Sequence, residues 1–153
     1  MMQHDINDML ARVCCKVFEN LAFMFGDSLE KDDAVSESET FIRAMMTFDG
    51  EKKGSIEIVV PGEIGDELAV NILGLDDPDE IGEDTSDDAL KEVLNTTCGQ
   101  LLTALFTDKP VFHLSVPVTS ALDNNQWQEL IADEQFIALE IDDKPVLLRV
   151  LIT

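Results

Sequence analysis

Asp88, Glu92, Asn95 and Gly99 follow one another at i, i+4, i+7 and i+11 in the segment DDALKEVLNTTCGQLLTALF. On a helix of about 100° per residue they project within roughly 60° of one another, along about 16 Å of axis. The line holds two carboxylates, one amide with paired donors and an acceptor in fixed geometry, and one position with no side chain. An amide can hold and aim a water, a carboxylate one turn away can meet a cation, and a glycine lets another surface approach closely. Two of the four residues are poor helix formers: Gly costs on the order of 1 kcal/mol against Ala in a helix interior, and Asn up to about 0.7. An exposed stripe gains nothing from core packing that would offset this. Taken by itself, the same stripe is also what an ordinary solvated helix face looks like, and spacing alone names no reaction.

The opposite side of the segment explains how the line would be held. Leu90, Val93, Leu94, Cys98, Leu101, Ala104 and Leu105 gather into one apolar stripe that should face a sheet. Upstream, the acidic stretch DDPDEIGEDTSDD offers Thr85 or Ser86 as a helix cap, with acids in the first turn where the helix dipole favours them. Asp77, Asp79 and Gly82 match three places of a calcium loop, but Ile81 stands where a ligand is needed and Asp88 where the loop has Glu.

The elements around this helix read as follows. A first helix over roughly 4–25 places Met9, Leu10, Val13, Val17, Leu21 and Met24 at helical spacing, with Gly26 as its stop, and Phe23 and Phe25 are assigned to the core. TFIRAMMTF and SIEIVV, joined by DGEKKG, form a hairpin, and Pro61 and Gly62 open a short helix EIGDELAVNILGL. The last third alternates: Phe112, Leu114, Val116 and Val118 in one strand, Ile137, Leu139 and Ile141 in the next, and Val146, Leu148, Val150 and Ile152 in the last, with IDDKP as the closing turn. Trp127 is read as a loop or core anchor. The fold class is α+β: an antiparallel sheet of about five strands with two long helices packed on one side. With 153 residues the chain is taken as one domain, 1–153.

Composition removes several classes of function. Ten Lys and Arg against 32 Asp and Glu give a formal charge of −22, which repels nucleic acid and anionic membranes. No apolar run approaches the roughly 18 residues of a membrane span, and the N-terminus lacks the pattern of a signal peptide, so the expected location is the cytoplasm. Cys14, Cys15 and Cys98 sit in apolar helical settings and read as reduced thiols. His4 and His113 join no Cys, Ser or His cluster that would suggest zinc or nucleophilic chemistry, and no metal site is expected.

The motif residues resemble the CheC/CheX family of chemotaxis phosphatases, whose signature is Asp or Ser, three residues, Glu, two residues, Asn, and a later Pro. Asp88, Glu92 and Asn95 stand at those spacings, and Pro117 lies one position short of the usual Pro. The order of elements is similar to that family over nearly the whole chain. A weaker echo lies in the first helix, where Cys15, Glu19, Ala22 and Gly26 repeat the spacing, in keeping with the family's pseudo-twofold internal repeat. Ala22 has no amide to hold a water, so the chain resembles the single-site CheX type more than two-site CheC.

The resemblance implies hydrolysis of the aspartyl phosphate of a phosphorylated CheY-like receiver domain in chemotaxis or two-component signalling. It assigns Asn95 to orienting the attacking water and Glu92 to pairing with the receiver's lysine. Asp88 and Gly99 would belong to the partner-binding surface, Gly99 as clearance. It implies no cofactor in this chain, with Mg2+ belonging to the receiver's site, and it implies a homodimer. The alternative is a non-catalytic receiver-binding or flagellar-switch type of interaction module on the same fold.

Overall fold

The computed structural model describes residues 2–106 and 111–153. The elements run α1 (Gln3–Ala22), β1 (Gly26–Leu29), β2 (Thr40–Asp49), β3 (Gly54–Pro61), α2 (Gly62–Leu73), α3 (Glu83–Leu105), β4 (His113–Leu114), β5 (Val118–Asp123), α4 (Asn124–Ala132), β6 (Ile137–Ile141) and β7 (Lys144–Ile152). The strands form one antiparallel sheet in the order β1-β6-β7-β3-β2, with β4 and β5 sharing the outer edge of β2.

That order carries an approximate twofold. An axis between β3 and β7 exchanges β3 with β7, β2 with β6, and β1 with β5, while α1 and α3 pack against each other over the same face. The internal repeat expected from the two helices is therefore present in the sheet as well.

Alternation fixes the faces. Ile56, Ile58 and Val60 of β3 and Val146, Leu148 and Val150 of β7 are buried beneath the helices, together with Leu10, Val17, Leu68, Leu90 and Leu94. Residues of opposite parity, Phe41, Val59, Ala138 and Leu147, point to the other face and form a second, smaller core with Trp127 of α4. Trp127 is fully buried, stacks on Phe41 with ring centroids 4.5 Å apart, and donates its indole N–H to the Ala34 carbonyl at 3.0 Å. The anchor role read for Trp127 holds. The helix carrying it was not foreseen, although Asp123 and Gln126 form the reciprocal capping pair that marks its start.

Several expectations are corrected. Among the described residues the sheet has seven strands, because β1 lies in a stretch whose polar residues mask an edge strand and because the expected strand through Phe112–Val118 is two. The break falls at 115–117: Phe48 pairs with Leu114 and Met45 with Val118, so two residues of β2 face three of the outer strand. Pro117 sits there without an N–H to donate.

The first helix stops at Ala22, and Phe23 caps it in a left-handed conformation, φ 54°, with Phe23 and Phe25 exposed to 74% and 60%. Amphipathic spacing ends with the helix, and beyond it the chain alternates around the buried Met24. Gly26 is then neither a helix stop nor a counterpart of Gly99. It belongs to β1, opposite Ile141, where a Cβ would collide with the Glu140 carbonyl.

The expected closing turn is borne out: Asp142 and Asp143, both at positive φ (47° and 67°), make the two-residue connection between Ile141 and Lys144.

Candidate functional site

α3 is held at three points around its first turns. Gly82 is the N-cap, its N–H bonded to Thr85 Oγ1 at 2.7 Å, and the Thr85 N–H returns to the Gly82 carbonyl at 3.2 Å. Thr85 thus acts from inside the helix rather than as the cap itself, and the helix begins several residues before the motif. Ser86, expected as an alternative cap, donates its hydroxyl to Asp66 of α2 at 2.9 Å. Asp87 accepts from Thr119 of β5 at 3.2 Å, which ties the same turn to the outer edge of the sheet. Below, Ala89, Leu90, Val93, Leu94, Cys98, Leu101 and Leu102 are buried, so rotation of the helix about its axis would expose apolar surface.

With that stripe fixed inward, Asp88, Glu92 and Asn95 are exposed and Gly99 is half-buried on the outward line, as the spacing predicts. Lys91 Nζ lies 3.9 Å from Asp88 Oδ1, a long and exposed pairing that restrains neither group strongly. Thr96 Oγ1 approaches Glu92 Oε1 at 3.4 Å. The Asn95 amide makes no side-chain hydrogen bond among the described residues, and beyond the helix's own adjoining backbone no described atom lies within 4 Å of where a Cβ on Gly99 would stand. A carboxylate and an amide are presented one turn apart, on Cβ atoms about 5–6 Å from each other, the carboxylate engaged by the long, exposed Thr96 contact alone among the described residues.

Among the described residues the line is an exposed ridge. A cavity of about 930 Å³ lies at the N-terminal ends of α2 and α3, lined by Glu63, Asp66, Ser86, Asp87 and Thr119, and does not include Glu92 or Asn95. A small substrate on a ridge would remain in water, where hydrogen bonds give little discrimination. A ridge suits insertion into a partner's cleft, where water is excluded by the partner and the carboxylate and amide are desolvated only on docking.

The echo on α1 does not form a second ridge. Glu19 is exposed and Cys15 half-buried, but Ala22 is fully buried and Gly26 lies in the sheet. Burial holds the Cys14 thiol far above its ordinary range, raises Cys98 to about 12, and with Asp27 nearby raises Cys15 as well. Raised thiols are poor nucleophiles at neutral pH, so the cysteines of both helices offer packing rather than chemistry.

Sequence reasoning missed the two bonds that fix the azimuth of the helix, Ser86 to Asp66 and Thr119 to Asp87, because both cross between elements and leave no local pattern.

The chemotaxis phosphatase CheX family model matches residues 42–141, which includes the whole motif line. Among solved structures, a CheX from Vibrio vulnificus superimposes with a TM-score of 0.73 at 12% identity, covering 100% of this chain and 99% of that one. A CheX from Desulfovibrio desulfuricans gives 0.70 at 17% identity, covering 97% and 99%. A CheX-CheY-BeF3-Mg2+ complex from Borrelia burgdorferi gives 0.59 at 16% identity, covering 95% and 96%. These likenesses show the fold. Comparison of the sequence with curated proteins gives no match. Among the described residues, no helix is long and apolar enough to cross a membrane.

Proposed function

Because the chain belongs to the CheX family of chemotaxis phosphatases, we propose that it hydrolyses the aspartyl phosphate of a phosphorylated CheY-like receiver domain, using Glu92 and Asn95. One observation carries the reading: the carboxylate and the amide stand one turn apart on an outward ridge, with the amide uncommitted among the described residues. The CheX-CheY complex of similar fold supports a receiver as the kind of partner.

In this reading the ridge enters the receiver's phosphorylation cleft. Asn95 accepts a hydrogen bond from a water and holds it in line with phosphorus. The water oxygen bonds to phosphorus as the bond from phosphorus to the aspartyl oxygen breaks, both water protons end on the phosphoryl oxygens, and dihydrogen phosphate leaves with the receiver's carboxylate restored. An amide is too weak a base to take a proton; what it contributes is position, the main protein contribution to phosphoryl transfer. Glu92 pairs with the receiver's lysine and fixes the approach. Asp88, one turn behind Glu92, completes the acidic side of the contact, and Gly99 leaves room for the receiver's backbone. Mg2+ on the receiver would stabilise the charge that develops on the phosphoryl oxygens; this chain is assigned no metal of its own. A homodimer belongs to the same reading, supported by Val116 and Val118, which stand 82% and 65% exposed on the outer edge of the sheet.

The test is the release of phosphate from a radiolabelled receiver encoded in the same genome. Wild type accelerates it, and Asn95→Ala reduces the acceleration by about two orders of magnitude. An unchanged rate in Asn95→Ala sinks the mechanism. Binding of phosphorylated receiver with no acceleration by wild type would select the non-catalytic interaction module instead.

A further inference from the structure

Phe23 and Phe25 are the two large aromatic side chains that the chain turns outward, to 74% and 60%, on either side of the fully buried Met24. They are held there from three directions. The Phe23 N–H bonds to the Glu19 carbonyl at 3.1 Å, closing α1 with φ 54°, a conformation that a bulky residue adopts at a cost. The Phe25 N–H bonds to Asp142 Oδ1 at 3.1 Å, and the Asp142 N–H returns to the Phe25 carbonyl at 2.9 Å. Asn71 of α2 donates to the Ala22 carbonyl at 2.8 Å. The backbone under both rings is therefore fixed before anything binds, which lowers the entropic cost of using them.

The surround is acidic. Glu19 lies one turn before Phe23, Asp27 two residues after Phe25, and Glu67 meets Asp142 at the turn that clamps Phe25, with Asp143 the next residue of that turn. Lys144 stands against Glu67, and Lys16 and Arg12 line the same groove as Glu19, Asp27 and Asp8. Six carboxylates against three cationic side chains leave the corner negative. A second copy of this chain docking here about a twofold would set those carboxylates against their own copies.

We propose that the corner formed by Phe23 and Phe25 is a docking surface for a basic, apolar segment of a second protein, with the rings as anchors and the carboxylates as the rim. The surface lies on a different helix from the Glu92 and Asn95 ridge, and its use does not depend on the phosphatase reading. Aromatic anchors within a charged rim are the arrangement in which a few residues dominate affinity and the rim sets partner choice.

The probe is a fluorescent amphipathic Lys/Leu helix peptide titrated with the full chain, with a Glu/Leu peptide beside it. Wild type binds the Lys/Leu peptide about tenfold more tightly than Phe23→Ser/Phe25→Ser, and the affinity falls with salt. Glu19→Gln/Asp143→Asn, which leaves both rings in place, also weakens binding. Equal affinity of wild type and the Phe variant would mean that the peptide adheres to the acidic surface at large, and the proposal fails. It fails equally if the Glu/Leu peptide binds as well, or if sedimentation shows that the Phe variant turns a dimer into a monomer, which would make the occupant a second copy.

Discussion

Asn95 and Gly99 stand one turn apart on the outward line of α3, and a Cβ placed on Gly99 would meet nothing among the described residues within 4 Å beyond the helix's own adjoining backbone. Neither residue is demanded by the fold. Gly99→Ala is therefore expected to stabilise the isolated protein by up to about 1 kcal/mol, and Asn95→Ala by up to about 0.7, since both replace a weak helix former in an open position. On the proposed function, each variant also lowers phosphatase activity, Asn95→Ala through turnover and Gly99→Ala through the KM for the receiver. Thermal melts alongside steady-state kinetics check this. A loss of stability in either variant would show that the residue serves the fold.

The second core offers a test of a different kind. Trp127 contributes a stacked ring and a donor to Ala34, both inside a fully buried site. Trp127→Ala should cost about 3–5 kcal/mol in urea unfolding. Trp127→Phe keeps a ring against Phe41 but leaves the Ala34 carbonyl without its donor, at about 1–3 kcal/mol.

Glu57, 2% exposed on β3, is paired with Arg43 of β2 and Arg149 of β7, and Arg149 also lies over the Phe136 ring at 4.8 Å. Glu57→Gln removes the shared anion, leaving the half-buried Arg43 facing an amide and Arg149 with Asp133 at 3.7 Å and Gln135 at 3.2 Å. Breaking such a pair from one side costs about 3–5 kcal/mol, measured by denaturant unfolding. Glu57→Gln combined with Arg43→Met should recover part of that loss, because the charge stranded by the first substitution is removed with it.

Legibility followed period and locality. The motif line was readable because helix period alone places Asp88, Glu92, Asn95 and Gly99 opposite an apolar stripe, and burial of Leu90, Val93 and Leu94 leaves the line one direction to face. The closing turn was readable because its two aspartates tolerate positive φ. β1 was not, since an edge strand with three of four residues exposed carries no alternation. Phe23 and Phe25 misled because their apolar character extends a helical count past the point where the backbone leaves the helix. For Gly26, spacing suggested a partner of Gly99, whereas the close approach of β6 decides its identity, a tertiary fact with no local trace.

Thiol chemistry should separate the three cysteines. Cys14 and Cys98 are buried and Cys15 is half-buried, and burial raises all three above the ordinary thiol value. In the native protein at pH 8, a disulfide reagent should modify one thiol slowly and the other two at the rate of opening of the fold. Cys15→Ser should abolish the first phase and leave the others, and denatured wild type should give all three.

Glu67 supplies a prediction with a definite sign. Burial, a hydrogen bond with Asp142 and the charge of Asp142 raise its carboxyl above the ordinary 4.5, and Lys144 opposes them. A group whose folded-state value is raised binds its proton more tightly in the folded state, so its contribution to stability is complete below the ordinary carboxyl range and is lost as pH rises through the raised value. Glu67→Gln mimics the protonated form at every pH. The variant should therefore melt at the same temperature as wild type in acid, below the usual carboxyl range, and higher than wild type at pH 7. The difference should shrink with added salt, because the pair stands near the surface. Melting curves of both proteins across that range decide it: a variant less stable than wild type at pH 7 would show that the ionised carboxylate is favoured by Lys144 more than it is opposed by Asp142.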